Sequence, residues 1–249
     1  MFRIYLFGVA VSALLLAGCA DISSSDIRTS GICADIDVYN SNNKVKIDTR
    51  LTAGCGLGGS YVVLDGGDYL SSNYLSHNYT LSQHTEFLSN ITSYSAISSS
   101  NYSVSEQITV ALNRNSDSVS ARNSFVNLPQ TFSLTQPVNN AVYATGSTIN
   151  FSWDRPHPSS RVSLNVSCNR SDGSTSSGSM YRTSSATSHQ ISVLEVYNNF
   201  FQPGGPTLLN CSGSANVKQS QTGHIDPAYK AGSKITASYI QSRNISINF

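Results

Sequence analysis

Between residues 32 and 249 apolar side chains come in short runs that alternate with polar ones, and Asn, Ser, Gly and Pro interrupt the runs. A period of two puts one set of side chains on a buried face and the other in water, which is the pattern of a half-buried strand. The clearest cases are residues 32–39 and 44–51, where Val45, Ile47 and Thr49 share a face and Asn40-Ser41-Asn42-Asn43 forms the turn between them. Strands are also expected at 85–92, 105–112 and 118–126. Asp65-Gly66-Gly67-Asp68, lying between 61–64 and 69–70, reads as a hairpin turn because glycine tolerates positive φ. No segment before Pro129 keeps a long helical period, so the expected class is all-β.

Composition narrows the setting. Only 12% of residues are charged while 39% are hydrophobic, and thirteen are tyrosines. That hydrophobic fraction argues against disorder, and Ser, Asn, Thr and Tyr must supply the polar surface. Without Arg3 the chain carries fourteen basic and fourteen acidic side chains, a balance that offers no basic field for nucleic acid. Five cysteines are present, at 19, 33, 55, 168 and 211. With Cys19 set apart, four remain, an even number that suits two disulfides in an oxidising compartment. Three pairings are open on paper. Order along the chain favours Cys33 with Cys55 and Cys168 with Cys211.

Cys19 is set apart because of what precedes it. Arg3 supplies a lone positive charge, and the apolar run from Ile4 to Ala17 is too short for a stable membrane span but suits the core of a secretory signal. The run ends in Leu16-Ala17-Gly18-Cys19, which resembles the lipobox of bacterial lipoproteins. The resemblance implies that residues 1–18 are a signal peptide cut before Cys19, whose thiol carries the lipid that holds the protein to the bilayer. Ala20, rather than aspartate, follows the cysteine, which in that family favours the outer membrane over the inner one. The sequence does not choose between the periplasmic and the surface face. Residues 19–30, rich in Ser and Asp, are expected to be a tether without regular structure.

Leu128-Pro129-Gln130 separates two strand-like halves, so two tandem β-sandwich domains are expected at 31–127 and 131–249. In the second, the pattern Pro137-x5-Tyr143-x2-Gly146-Ser147-x-Ile149-x-Phe151-x-Trp153, followed by Pro156 and a strand at 161–168, resembles immunoglobulin-like and fibronectin type III-like sandwiches. The resemblance implies that Trp153 points inward between two sheets, beside Ile149 and Phe151. It does not extend to the antibody inter-sheet disulfide, because Trp153 precedes Cys168 instead of lying between two bridged cysteines. Later strands are expected at 179–183, 189–196, 207–217, 234–239 and 242–249, with a short helical turn at 226–229.

Catalytic patterns are absent from the sequence. Gly58-Gly59-Ser60-Tyr61-Val62 lacks the last glycine of a nucleophile elbow, and Glu86, Glu106 and Glu195 form no evident pair. Asp65 and Asp68 alone fall far short of a calcium set, and the cysteines and histidines lack zinc spacing. No cofactor, metal or enzymatic activity is therefore expected. The stretch from Tyr69 to Tyr102 is dense in Tyr, Ser and Asn, a composition like that of binding loops. Tyr69, Tyr74, Tyr79 and Tyr94, together with Phe200 and Phe201, are the expected interaction surface. The expected role is that of a membrane-anchored, non-enzymatic envelope lipoprotein that contacts an envelope or surface protein, with a carbohydrate-binding or adhesion module as the alternative.

Overall fold

The computed structural model describes residues 21–249 apart from 42, 57–58, 88, 159 and 201–204. The chain is mostly strand. The first half holds β1 (Ile22–Ser23), β2 (Ile32–Ser41), β3 (Lys44–Ala53), β4 (Val62–Val63), β5 (Tyr69–Tyr74), β6 (His77–Thr80), β7 (Ser82–Thr85), β8 (Thr92–Asn101), β9 (Gln107–Asn113) and β10 (Ala121–Asn127). The second holds β11 (Leu134–Gln136), β12 (Ala141–Ala144), β13 (Thr148–Trp153), β14 (Ser160–Arg170), β15 (Thr175–Ser184), β16 (Ser188–Ser192), helix α1 (Val193–Phe200), β17 (Leu208–Thr222) and β18 (Lys234–Asn248).

Two hydrophobic cores form, each between two sheets. The first joins Ile36, Val38, Val45, Ile47 and Leu51 of β2 and β3 to Leu70, Ile108, Val110 and Leu112 of the sheet β10-β9-β5-β6. The second joins Val162, Leu164, Val166 and Val217 of β14 and β17 to Ile149, Phe151 and Trp153 of the sheet β11-β13-β16. Trp153, Ile149 and Phe151 are all buried, as their alternation requires.

One long sheet serves both cores, in the order β15-β14-β17-β18-β2-β3-β8-β7. β18 lies near its centre. One edge of β18 pairs antiparallel with β17 from Thr236 to Asn248. Its other edge pairs parallel with β2 over residues 234–238, then with β12 over 245–248. Two separate strands were expected where this single one runs. The chain therefore comes back to the first core after building the second: Tyr229, Ile235 and Ala237 pack among the side chains of the first. Tyr239 stands at the junction, with the ring of Tyr102 on one side and that of Phe132 on the other, centroids 5.0 and 5.5 Å away. The expected unit 31–127 is thus completed by residues from the far end of the sequence.

Both disulfides join the pairs favoured by chain order, Cys33–Cys55 and Cys168–Cys211. Cys168 and Cys211 face each other across the neighbouring strands β14 and β17, so this bridge lies within one sheet. On either side of Val166 the strands carry glycine for a steric reason. A Cβ on Gly213 would lie 1.9 Å from the Asn165 carbonyl oxygen, and one on Gly178 would lie 2.5 Å from the Phe200 ring.

Three local expectations are corrected. The strand expected at 85–92 is instead the last residue of β7, a turn and the first residue of β8, with Glu86 N–H donating to Ile91 O at 3.0 Å. The strand expected at 189–196 stops at Ser192, whose hydroxyl accepts from the Glu195 amide at 3.0 Å and starts α1. Ser192-x-x-Glu195 is the spacing of a capping box, and Val193, Val196 and Phe200 put one apolar stripe on the core. Asp65-Gly66-Gly67-Asp68 does turn, with Gly66 and Gly67 at φ 59° and 84°, but its flanks do not pair as a hairpin. β4 pairs with β1 while β5 pairs with β6 and β9.

Candidate functional site

The expected tether is not loose. Residues 21–31 lie on the first core as β1 and two single-turn 3-10 helices, at Ser24–Asp26 and Thr29–Gly31. They are held by a buried polar knot. Arg114 and Asp68 form an ion pair with Nε–Oδ2 at 2.7 Å and both side chains wholly out of water. The Arg114 guanidinium also donates to the carbonyls of Ser24 (2.6 Å) and Ile27 (2.9 Å), to Ser116 Oγ (3.0 Å) and to Thr29 Oγ1 (3.2 Å). Asp68 accepts from the hydroxyls of Ser24 and Ser116 and from the amides of Asn115 (2.6 Å) and Ser116 (3.0 Å). Burial pushes the Asp68 carboxyl up, but the hydrogen bonds from Ser116, Ser24 and Asn115 outweigh it and hold the group well below the usual carboxylate range. Asp65 accepts from Ser23, Ser24 and the Ser25 amide, and Asp117 from Thr29. The acids weighed as calcium ligands are thus spent on fastening the segment that follows Cys19. Among the described residues no three His, Cys, Asp or Glu side chains gather as a metal set.

The tyrosines and phenylalanines expected at an interaction surface do not share one. Tyr74 and Tyr94 belong to the first core. The Tyr74 hydroxyl donates to Asn101 O at 2.8 Å and accepts from the Ser103 amide at 2.7 Å, while that of Tyr94 donates to Val62 O and accepts from the Leu64 amide. Each satisfies two backbone groups where the chain leaves regular pairing, which is why a phenol and not a phenyl ring is used. Burial pushes the Tyr94 phenol up to about 12. Phe200 belongs to the second core, over Gly178. Tyr79 is half-buried, its hydroxyl against Ser99, and Tyr69 is exposed. Cys19 and Phe201 lie outside the described residues, as does the segment 1–18.

A different surface emerges from the strand register. On the outer face of β15-β14-β17-β18 the side chains fall into four rungs, each crossing four strands. The two central rungs are Ser177-Ser167-Ser212-Ser246 and Ser179-Asn165-Ser214-Asn244. They are flanked by Thr175-Asn169-Asn210-Asn248 and by Tyr181-Ser163-Asn216-Ser242. No position in this field is charged. With strands about 4.8 Å apart and alternate residues about 6.7 Å apart, it spans roughly 14 by 20 Å. A shallow hollow of ≈ 830 Å³ lies over the two central rungs. Some groups pair internally, Ser177 with Ser167 at 2.9 Å and Asn169 with Asn210 at 2.9 Å. Charge begins only at the next rung, where the Arg161 guanidinium sits 3.9 Å from the centre of the Tyr181 ring. The field offers donors and acceptors without a net field, which suits an uncharged hydrogen-bonding partner. The alternation in 161–168 carried part of the signal. The cross-strand register that lines up the rungs carried the rest.

No family model matches the chain, and a search of curated proteins finds no match. Among the described residues no helix is long and apolar enough to cross a membrane.

Proposed function

We propose that the protein is a non-enzymatic lipoprotein of the outer membrane, anchored through acylated Cys19, that acts as a protein-interaction or structural module. Its second unit is an immunoglobulin-like, fibronectin type III-like sandwich. Support for that fold comes from the facing sheets β11-β13-β16 and β15-β14-β17-β18, with Trp153 inward between them. The single observation that carries the functional reading is the charge-free field on β15-β14-β17-β18. A surface built of hydroxyls and amides gains little from long-range attraction and depends on close geometric fit, which suits a resident partner in the same envelope.

Capture with the acylated protein, comparing wild type with a Ser167→Arg/Ser212→Arg variant, tests this. Both positions are exposed, so the variant should fold. The expected result is an envelope protein retained by wild type and lost by the variant; equal recovery refutes the reading. Neutral glycan is the second reading, favoured by the hydroxyl and amide chemistry of the field and by exposed Tyr181 at its edge. Retention on a glycan array, lost in the same variant, would select it.

A further inference from the structure

The turn between β7 and β8 carries the most exposed large hydrophobic side chain of the described residues, Phe87, at 94%. No core of the described residues includes it. A phenyl ring left in water at a hairpin tip gives up the transfer free energy that burial would return, but one such ring is ordinary on a protein surface, so its position has to carry the argument. Its neighbours locate it. Thr92, the first residue of β8, donates through Oγ1 to the Asp21 carboxylate at 3.3 Å, and the Ile22 amide donates to Tyr61 O at 2.8 Å. Thr85 pairs with Thr92, and Phe87 lies two residues beyond Thr85. At about 3.3 Å per residue along a strand and about 4.8 Å between strands, Phe87 is within roughly 10 Å of Thr92, whose side chain touches Asp21. Asp21 in turn follows Cys19 by two residues, a reach of no more than about 7 Å.

We infer that Phe87 inserts into the bilayer beside the lipid on Cys19, giving the protein a second, side-chain contact with the membrane and a fixed orientation on it. The inference rests on the proposed acylation of Cys19. Because residues 21–31 are docked and not free, the acyl chains cannot lift the body away, and the tip of β7–β8 is held at the depth of the lipid headgroups. Around this end Asp21, Asp35, Asp37, Asp48 and Glu86 stand against Lys46, Arg50, Lys230 and Lys234, so no basic patch marks it. The contact is therefore apolar, and the lipid surface it fits need not be anionic. A protein partner or a second copy could also cover one phenylalanine. Neither accounts for its place next to the anchor.

The test uses the full acylated chain in vesicles of phosphatidylcholine with brominated acyl chains. Phe87→Trp adds one fluorophore at a site that packs against nothing, and difference spectra against wild type remove the contribution of buried Trp153. Val142→Trp, an exposed position on β12 beside the second core, serves as the distal control. The expected result is a blue shift and loss of the added emission for Phe87→Trp, with none for Val142→Trp. Full emission from Phe87→Trp in protein that is acylated and vesicle-bound overturns the inference while leaving the anchor intact, and equal quenching at both positions overturns it too. Protein that carries no acyl group and floats free of vesicles overturns the anchor and this inference together.

Discussion

Asp68→Asn tests the knot that docks the N-terminal segment. Arg114 has no exposed side-chain surface and one anionic partner at 2.7 Å. Substituting the amide leaves a guanidinium buried without a counter-charge and turns an NH2 group toward donors that now have no acceptor. Removing one member of a fully buried pair costs about 3–5 kcal/mol, set against a total stability of about 5–15 kcal/mol. In urea, where slopes are about 1–3 kcal/mol per molar, the midpoint at pH 7 should fall by more than about 1 M. A second arm uses pH. The folded Asp68 pKa is depressed, so its contribution is fully present above the unfolded value of about 3.9 and is lost as pH falls from there toward the folded value. The gap between wild type and Asp68→Asn should be constant from pH 7 to about 5 and close progressively below about pH 4. Asp68→Leu/Arg114→Met, which removes both charges, should be less damaging than the sum of the two single changes. A shift below about 0.5 kcal/mol for Asp68→Asn, or a gap that widens on acidification, refutes the argument.

Other outcomes follow from named contacts. Gly213→Ala should cost more than about 3 kcal/mol, because its Cβ meets backbone, whereas Gly178→Ala should cost about 1–3 kcal/mol, because the Phe200 ring can shift; chemical denaturation ranks the two. Tyr94→Phe leaves the Leu64 amide without its acceptor and should cost about 1–3 kcal/mol, while Tyr79→Phe, at a half-buried site, should cost less than about 1 kcal/mol. Opening Cys168–Cys211, which closes 43 residues, should cost about 4 kcal/mol in the chain-entropy model, and opening Cys33–Cys55, which closes 22, about 3.4 kcal/mol; melting Cys→Ala pairs separately measures the order.

What could be read from the sequence was local. β2 and β3 follow from their alternation, and the disulfide pairs from their order, because each depends on residues near one another. The turn at Asp65–Asp68 was legible but its use was not, since Ser24 and Arg114 come to it from 41 to 46 residues away. The same distance hid the docking of residues 21–31, whose polar composition alone suggests a loose segment. Tyr74 and Tyr94 misled because a phenol serving buried backbone groups has the same letter as one in a binding loop. Ser192-x-x-Glu195 was a usable signal for α1 that the alternation of 189–192 obscured. The charge-free field was out of reach, because side chains align across strands only once register is fixed, and one residue of slip would turn each set to the opposite face.

The run of β18 along β17, with β2 and then β12 on its other side, determines how a tug on the N-terminal end would travel. Tension between that end and the far sheet lies along the strands, so the ladder rungs resist sliding together instead of parting one at a time. Because β18 supplies side chains to both cores, a pull that loosens one acts on a strand the other shares, and the load reaches both along the same backbone.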